Sequence, residues 1–320
     1  MKKVFLTGIA GFIGFHLASY LKRKGYAVSG VDLFTPYYNV ELKKARASLL
    51  KELGVEVLTL DINETSSLQN LLQKTQSTHV IHLAAQPGVR HPDTFEYVRQ
   101  NLNGFVSLLE ALKKTSVEKL LFASSSSVYG KNQKIPFEEM DPVHNPANFY
   151  GATKTSNELM ARSIHHITKL PMIGFRFFTV YGPWGRPDMA YFSFTEKICK
   201  GKELTLYAKG EMRRDFTYVD DLLSPIEKAL DLPVSFEIFN LGCNHPHSVL
   251  DMVSHLENNL GKKAKKTFLE APVNEPFTTY AGISKANKLL GFSPSTSLEK
   301  GLFSFTQWYQ QEYLAAFSAL

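Results

Sequence analysis

The sequence contains only two cysteines, Cys199 and Cys243, in 320 residues. This scarcity excludes a disulfide scaffold, and the spacing of the two thiols matches no zinc motif. The ten histidines form no clustered ligand set either, so we predict no metal site. No apolar run approaches the ~20 residues that span a bilayer, and the amino terminus lacks the pattern of a secretory signal peptide. We therefore expect a cytoplasmic protein with no membrane partner.

The excess of positive over negative charge is small as well, because the chain has 36 Lys and Arg residues and 30 Asp and Glu residues, for a net charge of +6. Four of the lysines fall within 262–266, a pattern that could bind nucleic acid or a membrane surface. We favour a solvated loop after a helix stop at Gly261, because no aromatic residues or recognition helix accompany the lysines. We predict no nucleic-acid partner, and the remaining charge is compatible with an anionic small molecule.

The first half of the chain alternates strand patterns with helix patterns. Alternating βα units predict an α/β fold, a Rossmann-type doubly wound parallel sheet with helices on both faces. The predicted strands are 3–7, 27–31, 55–60, 79–85, 119–125 and 171–178, and the predicted helices between them include 11–24, 65–74 and 95–114.

A glycine loop follows the first predicted strand, with Gly8, Gly11 and Gly14 spaced G-x-x-G-x-x-G. Backbone N–H groups at the start of the next helix can hold a pyrophosphate, and glycines let it approach closely. Asp32 ends the second strand, where its carboxylate can bind both ribose hydroxyls and would repel a 2′-phosphate, so NAD is favoured over NADP. Asp61 ends the third strand; it could reach the adenine amino group or cap the following helix.

After residue 179 the composition of the sequence changes, because 181–187 is rich in turn residues and aromatics. Helix patterns follow at 190–200, 249–260 and 298–313, and 236–241 is typical of one more sheet strand. We predict a cofactor-binding domain from 1–179 plus about 215–243. A smaller substrate-binding lobe would come from 180–214 and 244–320.

Tyr150 and Lys154 have the Y-x-x-x-K spacing, which places both on one face of a helix. A free tyrosine has a pKa of about 10, and a nearby ammonium group would favour its phenolate. That phenolate could act as the general base for oxidation of an alcohol. Ser125 belongs to a serine run at the carboxyl end of the fifth strand, where ligands bind in such sheets, and could bind the reacting oxygen together with Tyr150.

These residues together resemble the extended short-chain dehydrogenase/reductase family. Four further segments are similar to its UDP-glucuronate 4-epimerases, and the similarity extends over nearly the whole chain. The segments are 36–46, 85–90, 176–190 and 213–221, of which 176–190 contains the long run R-F-F-T-V-Y-G-P-W-G-R-P-D-M-A.

The resemblance implies an NAD-dependent 4-epimerase. Tyr150 would take the proton of the sugar 4-hydroxyl while C4 passes a hydride to NAD, and the 4-keto sugar would rotate and take the hydride back on its other face. Lys154 would also hold the nicotinamide ribose, and Ser125 would bridge Tyr150 and the sugar oxygen. NAD would stay bound throughout.

Neutral hydroxyls follow the catalytic serine at Ser126 and Ser127. Related 4,6-dehydratases carry an Asp-Glu pair there and UDP-glucuronate decarboxylases a Glu at the second position, so both reactions are disfavoured. Hydroxyl groups can instead donate hydrogen bonds to a uronate carboxylate, as Thr179 could too. We hypothesise that they hold the carboxylate out of alignment with the ketone and so suppress loss of CO₂.

The predicted partner is a UDP-sugar, with arginines as candidates for its diphosphate because the planar guanidinium binds two oxygens. Three alternatives remain open: a UDP-glucose/UDP-galactose 4-epimerase, a UDP-glucuronate decarboxylase and a non-catalytic NAD-binding sensor. The resemblance also implies a homodimer formed through helices near 95–114 and 150–167.

The predicted substrate-binding residues are Arg90, Ser125, Ser126, Ser127, Thr179, Arg186, Arg214 and Glu275. The predicted cofactor-binding residues are Gly8, Gly11, Phe12, Ile13, Gly14, Asp32, Asp61, Ile62, Leu83, Ala84, Ala85, Asn101, Tyr150 and Lys154.

Overall fold

The computed structural model describes residues 2–271 and 276–317, in which strands and helices alternate along the first half of the chain. The strands are β1 (Lys3–Thr7), β2 (Ala27–Asp32), β3 (Glu56–Thr59), β4 (His79–His82), β5 (Lys119–Ser125), β6 (Met172–Phe177), β7 (Thr179–Tyr181), β8 (Glu203–Tyr207), β9 (Arg213–Tyr218), β10 (Phe236–Leu241), β11 (Pro246–Ser248), β12 (Lys265–Leu269) and β13 (Thr278–Thr279). The α-helices are α1 (Phe12–Arg23), α2 (Val40–Glu52), α3 (Thr65–Lys74), α4 (Thr94–Tyr97), α5 (Gly104–Leu112), α6 (Phe149–Thr168), α7 (Ala190–Cys199), α8 (Leu223–Asp231), α9 (Val249–Leu260), α10 (Ser284–Leu290), α11 (Leu298–Trp308) and α12 (Leu314–Phe317).

The central sheet has seven strands in the order β10-β6-β5-β4-β1-β2-β3. All of its neighbouring strands are parallel. Side chains alternate between the two faces, so Val4 and Leu6 join one apolar core and Phe5 joins another. Helix α1 packs in the first core and α5 in the second, which confirms the predicted doubly wound α/β fold.

A smaller lobe is built after β6. In it β9 pairs with β7, β11 and β13, while β8 pairs with β12. A third core joins α7, α9 and α11 beneath these strands. The strand β10 returns to the central sheet, whereas β9 crosses the domain boundary that we placed at about 215. The division of the chain into two domains stays a prediction.

Several helical regions differ from the sequence prediction. The predicted helix at 95–114 is interrupted by a π-helical turn, Val98–Asn103, before Gly104 begins α5. A Cβ on Gly104 would lie 2.6 Å from Cδ1 of Ile62, so the missing side chain permits close packing there. Helix α2 was not predicted, because two of its four buried residues are the charged Lys43 and Arg46.

The order of the strands places the functional region. The chain connects in opposite directions on either side of the β1–β4 pair, which makes this the topological switch point of the sheet. The crevice at the carboxyl ends of the strands is therefore the expected ligand site. Within the described residues no helix has the length and apolarity to cross a membrane.

Candidate active site

A cavity of about 650 Å³ opens at the carboxyl ends of the central strands and extends to the smaller lobe. It brings together most of the side chains predicted from the sequence. Those that line it are Gly8, Gly11, Phe12, Ile13, Gly14, Asp32, Ile62, Leu83, Ala84, Ala85, Arg90, Ser125, Ser126, Ser127, Tyr150, Lys154, Thr179, Arg186 and Arg214. Asp61 and Asn101 are not among the lining residues, and Glu275 lies outside the described residues.

The glycine loop forms a cradle between β1 and α1. Gly8 has a φ of +70°, and a Cβ on Gly14 would lie only 2.2 Å from the carbonyl oxygen of Gly8. Gly11 precedes the helix without a side-chain cap, so the first N–H groups of α1 have no partner within the helix. This end of the cavity suits a pyrophosphate, because the donors converge and no side chain fills the space.

Asp32 stands at the end of β2 beside the cradle. Its Oδ2 accepts from the Ala10 N–H at 3.1 Å, and its Oδ1 accepts from the Phe34 N–H at 2.8 Å. Each ionised oxygen can accept a further hydrogen bond, so the carboxylate is oriented and still able to bind a ribose hydroxyl. The cradle and Asp32 together fit the adenosine half of a dinucleotide.

Asp61 and Asn101 act on local structure in this conformation. The Asp61 carboxylate accepts from the backbone of Asn63 at 2.9 Å and from Nη1 of Arg99 at 3.1 Å. It closes a turn before α3 and is not the cap residue of that helix. Asn101 accepts from the Gln86 N–H at 2.7 Å and donates to the Gln86 carbonyl at 3.1 Å, so it holds the chain that lines the cavity from behind.

Ser125, Tyr150 and Lys154 converge from β5 and α6. Asn148 caps α6 by accepting from the Gly151 N–H at 2.8 Å, which fixes the start of the helix beside the sheet. The Ser125 hydroxyl lies beside the Tyr150 phenol and acts to lower its pKa. Nζ of Lys154 lies 5.9 Å from the centre of the Tyr150 ring and donates to the Ala123 carbonyl at 2.9 Å.

The protonation of Tyr150 differs from the sequence expectation. Burial raises the pKa of this phenol, and the opposing effects of Arg186 and of the Ser125 hydroxyl do not cancel it. In this conformation Tyr150 is therefore a neutral phenol at neutral pH. Additional positive charge beside it would be needed to favour the phenolate.

Lys154 is also influenced by burial. The side chain is 2% exposed, and burial lowers its pKa to about 8, while the carboxylate of Glu158 acts in the opposite direction. Glu158 follows Lys154 by one further turn on the same side of α6 and forms an ion pair with Arg176 at 2.8 Å. Lys154 is therefore charged at neutral pH, but it loses its proton at a pH only slightly above neutrality.

The arginines lie toward the smaller lobe. Arg186 donates from Nε and Nη2 to both carboxylate oxygens of Asp188, at 3.0 and 2.6 Å, and Tyr37 donates to the same carboxylate at 3.2 Å. Burial opposes the charge of Arg186, but Asp188 outweighs it and raises the pKa, so the guanidinium stays charged. Arg214 donates to the Pro276 carbonyl at 3.1 Å.

The hydroxyls predicted to face a carboxylate border the same cavity as Tyr150. Ser126 and Ser127 begin a short 3₁₀ turn after β5, where the Ser127 N–H donates to Oγ of Ser125 at 3.1 Å. Thr179 begins β7, where the chain leaves the central sheet. The three hydroxyls therefore approach the Tyr150 region from two strand ends.

Sequence reasoning missed three charged residues of the site. Lys43 lines the cavity, with Nζ donating to the Thr35 carbonyl at 2.8 Å. Arg46 is fully buried, and Asp188 orients Arg186. A signal exists for Arg46, since it lies four residues from both Leu42 and Leu50 on the buried side of α2.

Comparison with known proteins gives three concordant results. The model of the NAD dependent epimerase/dehydratase family matches residues 4–242. UDP-glucuronate 4-epimerase 4 of Arabidopsis thaliana is 44% identical over 97% of this chain and 76% of its own. The structure of UDP-glucuronic acid 4-epimerase from Bacillus cereus, in complex with UDP-glucuronic acid and NAD, superposes with a TM-score of 0.89. It is 38% identical and covers 97% of this chain and 99% of its own.

A neutral-sugar enzyme is also similar, at lower identity. The structure of UDP-glucose 4-epimerase from Thermotoga maritima superposes with a TM-score of 0.88, at 27% identity, over 97% of this chain and 99% of its own. The two superpositions are nearly equal in quality, whereas the sequence is more similar to the uronate enzymes. The fold alone therefore does not distinguish the sugars, and the side chains around the cavity must do so.

Proposed function

Because the chain belongs to the NAD-dependent epimerase/dehydratase family, we propose that it interconverts UDP-glucuronate and UDP-galacturonate as a 4-epimerase. The observation that carries this proposal is the meeting, in one cavity, of Ser125, Tyr150 and Lys154 with the glycine loop. A further set of neutral hydroxyls borders the same space. The first group suits reversible oxidation of an alcohol, and the second suits a carboxylate on the same sugar.

The cofactor is NAD, and the residues present fit it. A Cβ at Gly14 would clash with the Gly8 carbonyl oxygen and distort the loop, and the Asp32 carboxylate is oriented beside the loop, so Gly8, Gly11, Gly14 and Asp32 would hold the pyrophosphate and the adenosine ribose. When bound, NAD accepts the hydride of the sugar C4 and returns it. Its positive nicotinamide also adds the charge that favours the Tyr150 phenolate.

The protein supplies proton transfer and orientation. The Tyr150 oxygen takes the proton of the sugar 4-hydroxyl and later returns it to the opposite stereoisomer. Ser125, whose hydroxyl lies beside Tyr150, binds the same sugar oxygen. The Lys154 ammonium stabilises the phenolate from its position 5.9 Å from the ring centre.

Ser126, Ser127 and Thr179 bind the uronate carboxylate. Their hydroxyls donate hydrogen bonds without a negative charge that would repel it. A 4-keto uronate is a β-keto acid. It loses CO₂ most readily when the carbon–carbon bond to the carboxylate lies parallel to the π orbitals of the ketone. We infer that these hydroxyls hold the carboxylate away from that alignment.

Arg186 and Arg214 bind the diphosphate from the side of the smaller lobe, and Arg90 borders the same cavity. Arg186 is held by Asp188 through Nε and Nη2, so its Nη1 edge is the one available to phosphate oxygens. With the diphosphate fixed, the sugar beyond it can turn within the cavity. This arrangement allows C4 to present either face while the nucleotide stays in place.

The test is NMR analysis of products from purified protein and UDP-glucuronate with no added NAD. Appearance of UDP-galacturonate supports 4-epimerisation with a retained cofactor. UDP-xylose with CO₂ would instead indicate decarboxylation, and conversion of UDP-glucose alone would indicate a neutral-sugar epimerase.

Tyr150→Phe is the matched variant: it keeps the ring and should lower kcat about 10²- to 10⁴-fold, the usual contribution of a general base, while NAD stays bound. Unaltered turnover in Tyr150→Phe would support a cofactor-binding sensor instead.

We also propose that two copies pair through α4–α5 and α6. These helices carry large apolar side chains that are unusually exposed, with Phe95 at 81%, Leu159 at 64% and Ile167 at 70%. Leu159→Glu should shift the molar mass measured by light scattering from dimer to monomer, and a monomeric wild-type chain would contradict the pairing. The cytoplasmic location and the absence of nucleic-acid and metal partners stay predictions from the sequence.

A further inference from the structure

The guanidinium of Arg46 lies between the glycine loop and the segment that carries Arg186. The Arg46 side chain is 0% exposed. Its Nη1 donates to the Ala10 carbonyl at 3.1 Å and to the Tyr38 hydroxyl at 2.8 Å. Its Nη2 donates to the carbonyls of Trp184 and Gly185, at 2.6 and 3.0 Å. One side chain thus joins the loop to the two residues that precede Arg186.

The charge of Arg46 is unusual for so buried a group. None of its hydrogen-bond partners within the described residues is a carboxylate, and its Nε is buried without a partner there. Burial of an unpaired cation is costly, and an apolar residue between Leu42 and Leu50 would complete the buried face of α2. A reason beyond packing is therefore needed for this guanidinium.

The segment before Arg186 has a second attachment to the cofactor half. Nε2 of His16, on α1, is hydrogen-bonded to the Pro183 carbonyl at 2.9 Å. The rings of Phe15 and Trp184 lie 5.6 Å apart. On the other side of the loop, the Ala10 N–H donates to Asp32. A continuous set of contacts therefore leads from the predicted ribose ligand, through the glycine loop, to the predicted diphosphate ligand.

We propose that Arg46 is a positioning residue that couples the NAD site to the diphosphate-binding Arg186. The proposal rests on the function proposed above. A guanidinium is planar, with its donors in a fixed fork, so the direction of the Ala10 carbonyl determines the direction of the Trp184 and Gly185 carbonyls. When NAD occupies the glycine loop, these hydrogen bonds hold Arg186 in the position in which it binds the diphosphate. By linkage, UDP bound at Arg186 strengthens retention of NAD by the same factor.

The first test measures UDP affinity by calorimetry, using protein that retains its NAD. Arg46→Met and Arg186→Met should each weaken UDP binding about tenfold or more, the usual effect of losing a charged hydrogen-bonding group. The double variant should bind UDP no more weakly than Arg186→Met, because Arg46 acts through Arg186. Losses that add in the double variant would overturn the proposal. Arg23→Met, the same change at an exposed position of α1, should leave UDP affinity unchanged.

The second test measures loss of bound NAD during dialysis, with and without saturating UDP. In the wild-type chain UDP should slow the loss, and in Arg46→Met it should have no effect. A stabilising effect of UDP that is equal in both proteins would overturn the proposal. This readout does not depend on turnover, so it separates coupling from damage to catalysis.

A third variant guards against misfolding of Arg46→Met. Arg46→Lys keeps the buried charge, but one ammonium cannot span both sets of carbonyls, so the effect of UDP on NAD retention should again be lost. Wild-type coupling in Arg46→Lys would overturn the proposal. If the wild-type chain bound neither NAD nor UDP, the proposed function would fall with it. Binding of both, with Arg46→Met indistinguishable from Arg23→Met, would overturn the coupling alone.

Discussion

Glu158 is a buried carboxylate whose replacement should affect both folding and catalysis. Its Oε1 accepts from Ser124 Oγ at 2.5 Å and from Arg176 Nε at 2.9 Å, and its Oε2 accepts from Arg176 Nη2 at 2.8 Å. Glu158 is 8% exposed and Arg176 is 4% exposed. Glu158→Gln leaves the guanidinium buried without its anion. We expect the free energy of unfolding to fall by about 3–5 kcal/mol, as for other broken buried pairs.

A matched control exists on α7. Glu196 and Lys200 form an ion pair at 2.6 Å, but their side chains are 38% and 55% exposed. Glu196→Gln should therefore change the free energy of unfolding by only about 0–1 kcal/mol. Denaturant unfolding at constant pH measures both variants, and equal m-values would show that the same surface is exposed in each.

The effect on catalysis passes through Lys154, whose pKa burial lowers from 10.5 to about 8. This shift corresponds to about 3 kcal/mol against the charged form. Lys154 is charged below pH 8 and neutral above it, so kcat/KM should fall as the pH rises through about 8. Because the Glu158 carboxylate raises the pKa of Lys154, Glu158→Gln should move this fall to lower pH, whereas Glu196→Gln should not move it.

The dependence of kcat/KM on pH in each variant tests this expectation, since kcat/KM reports ionisation in the free enzyme. If the activity of Glu158→Gln falls at the same pH as that of the wild-type protein, or at a higher pH, the electrostatic role of this carboxylate is refuted. Loss of stability without any change in the profile would leave Glu158 as a purely structural partner of Arg176.

The remaining predictions concern the two ends of the cavity. Gly14→Ala places a methyl group 2.2 Å from the Gly8 carbonyl oxygen, so the purified protein should contain little NAD, as measured by absorbance of the extract. Gly201→Ala strains the backbone at a φ of +64°, but its methyl meets nothing within 4 Å, so this control should retain NAD. Equal retention of NAD in the two variants would contradict the cradle. Ser127→Ala and Thr179→Val should each raise the proportion of decarboxylated UDP-pentose or UDP-4-keto-pentose detected by NMR, and unchanged product ratios in both would refute the role of these hydroxyls.

Much of the fold could be predicted because its signals are local. Apolar runs closed by glycine or aspartate mark the central strands, and β5 begins and ends where the sequence predicts. The i, i+4 spacing of Tyr150 and Lys154 requires only that 149–168 be helical. Fold class and the residues that gather at the cavity follow from such patterns.

The rest depends on distant contacts. β13 has two residues and β7 has three, and each exists because β9 pairs with it. Asn101 acts through the backbone of Gln86, a contact that no local pattern indicates. The direction of the Tyr150 pKa shift depends on burial, which arises only when α6 meets the end of β5. Pairing partners and electrostatic environment are properties of the assembled chain.

The contact between the two tryptophan rings has an optical consequence. The chain has two tryptophans, and the rings of Trp184 and Trp308 lie 5.2 Å apart at an angle of 47°. At this separation the electronic transitions of the two indoles couple, so the tryptophan contributions to near-ultraviolet dichroism and to fluorescence both originate at one place. That place is also where the segment before Arg186 meets α11. The protein thus carries a spectroscopic label, without chemical modification, at the segment whose Trp184 also lies against Phe15 of α1.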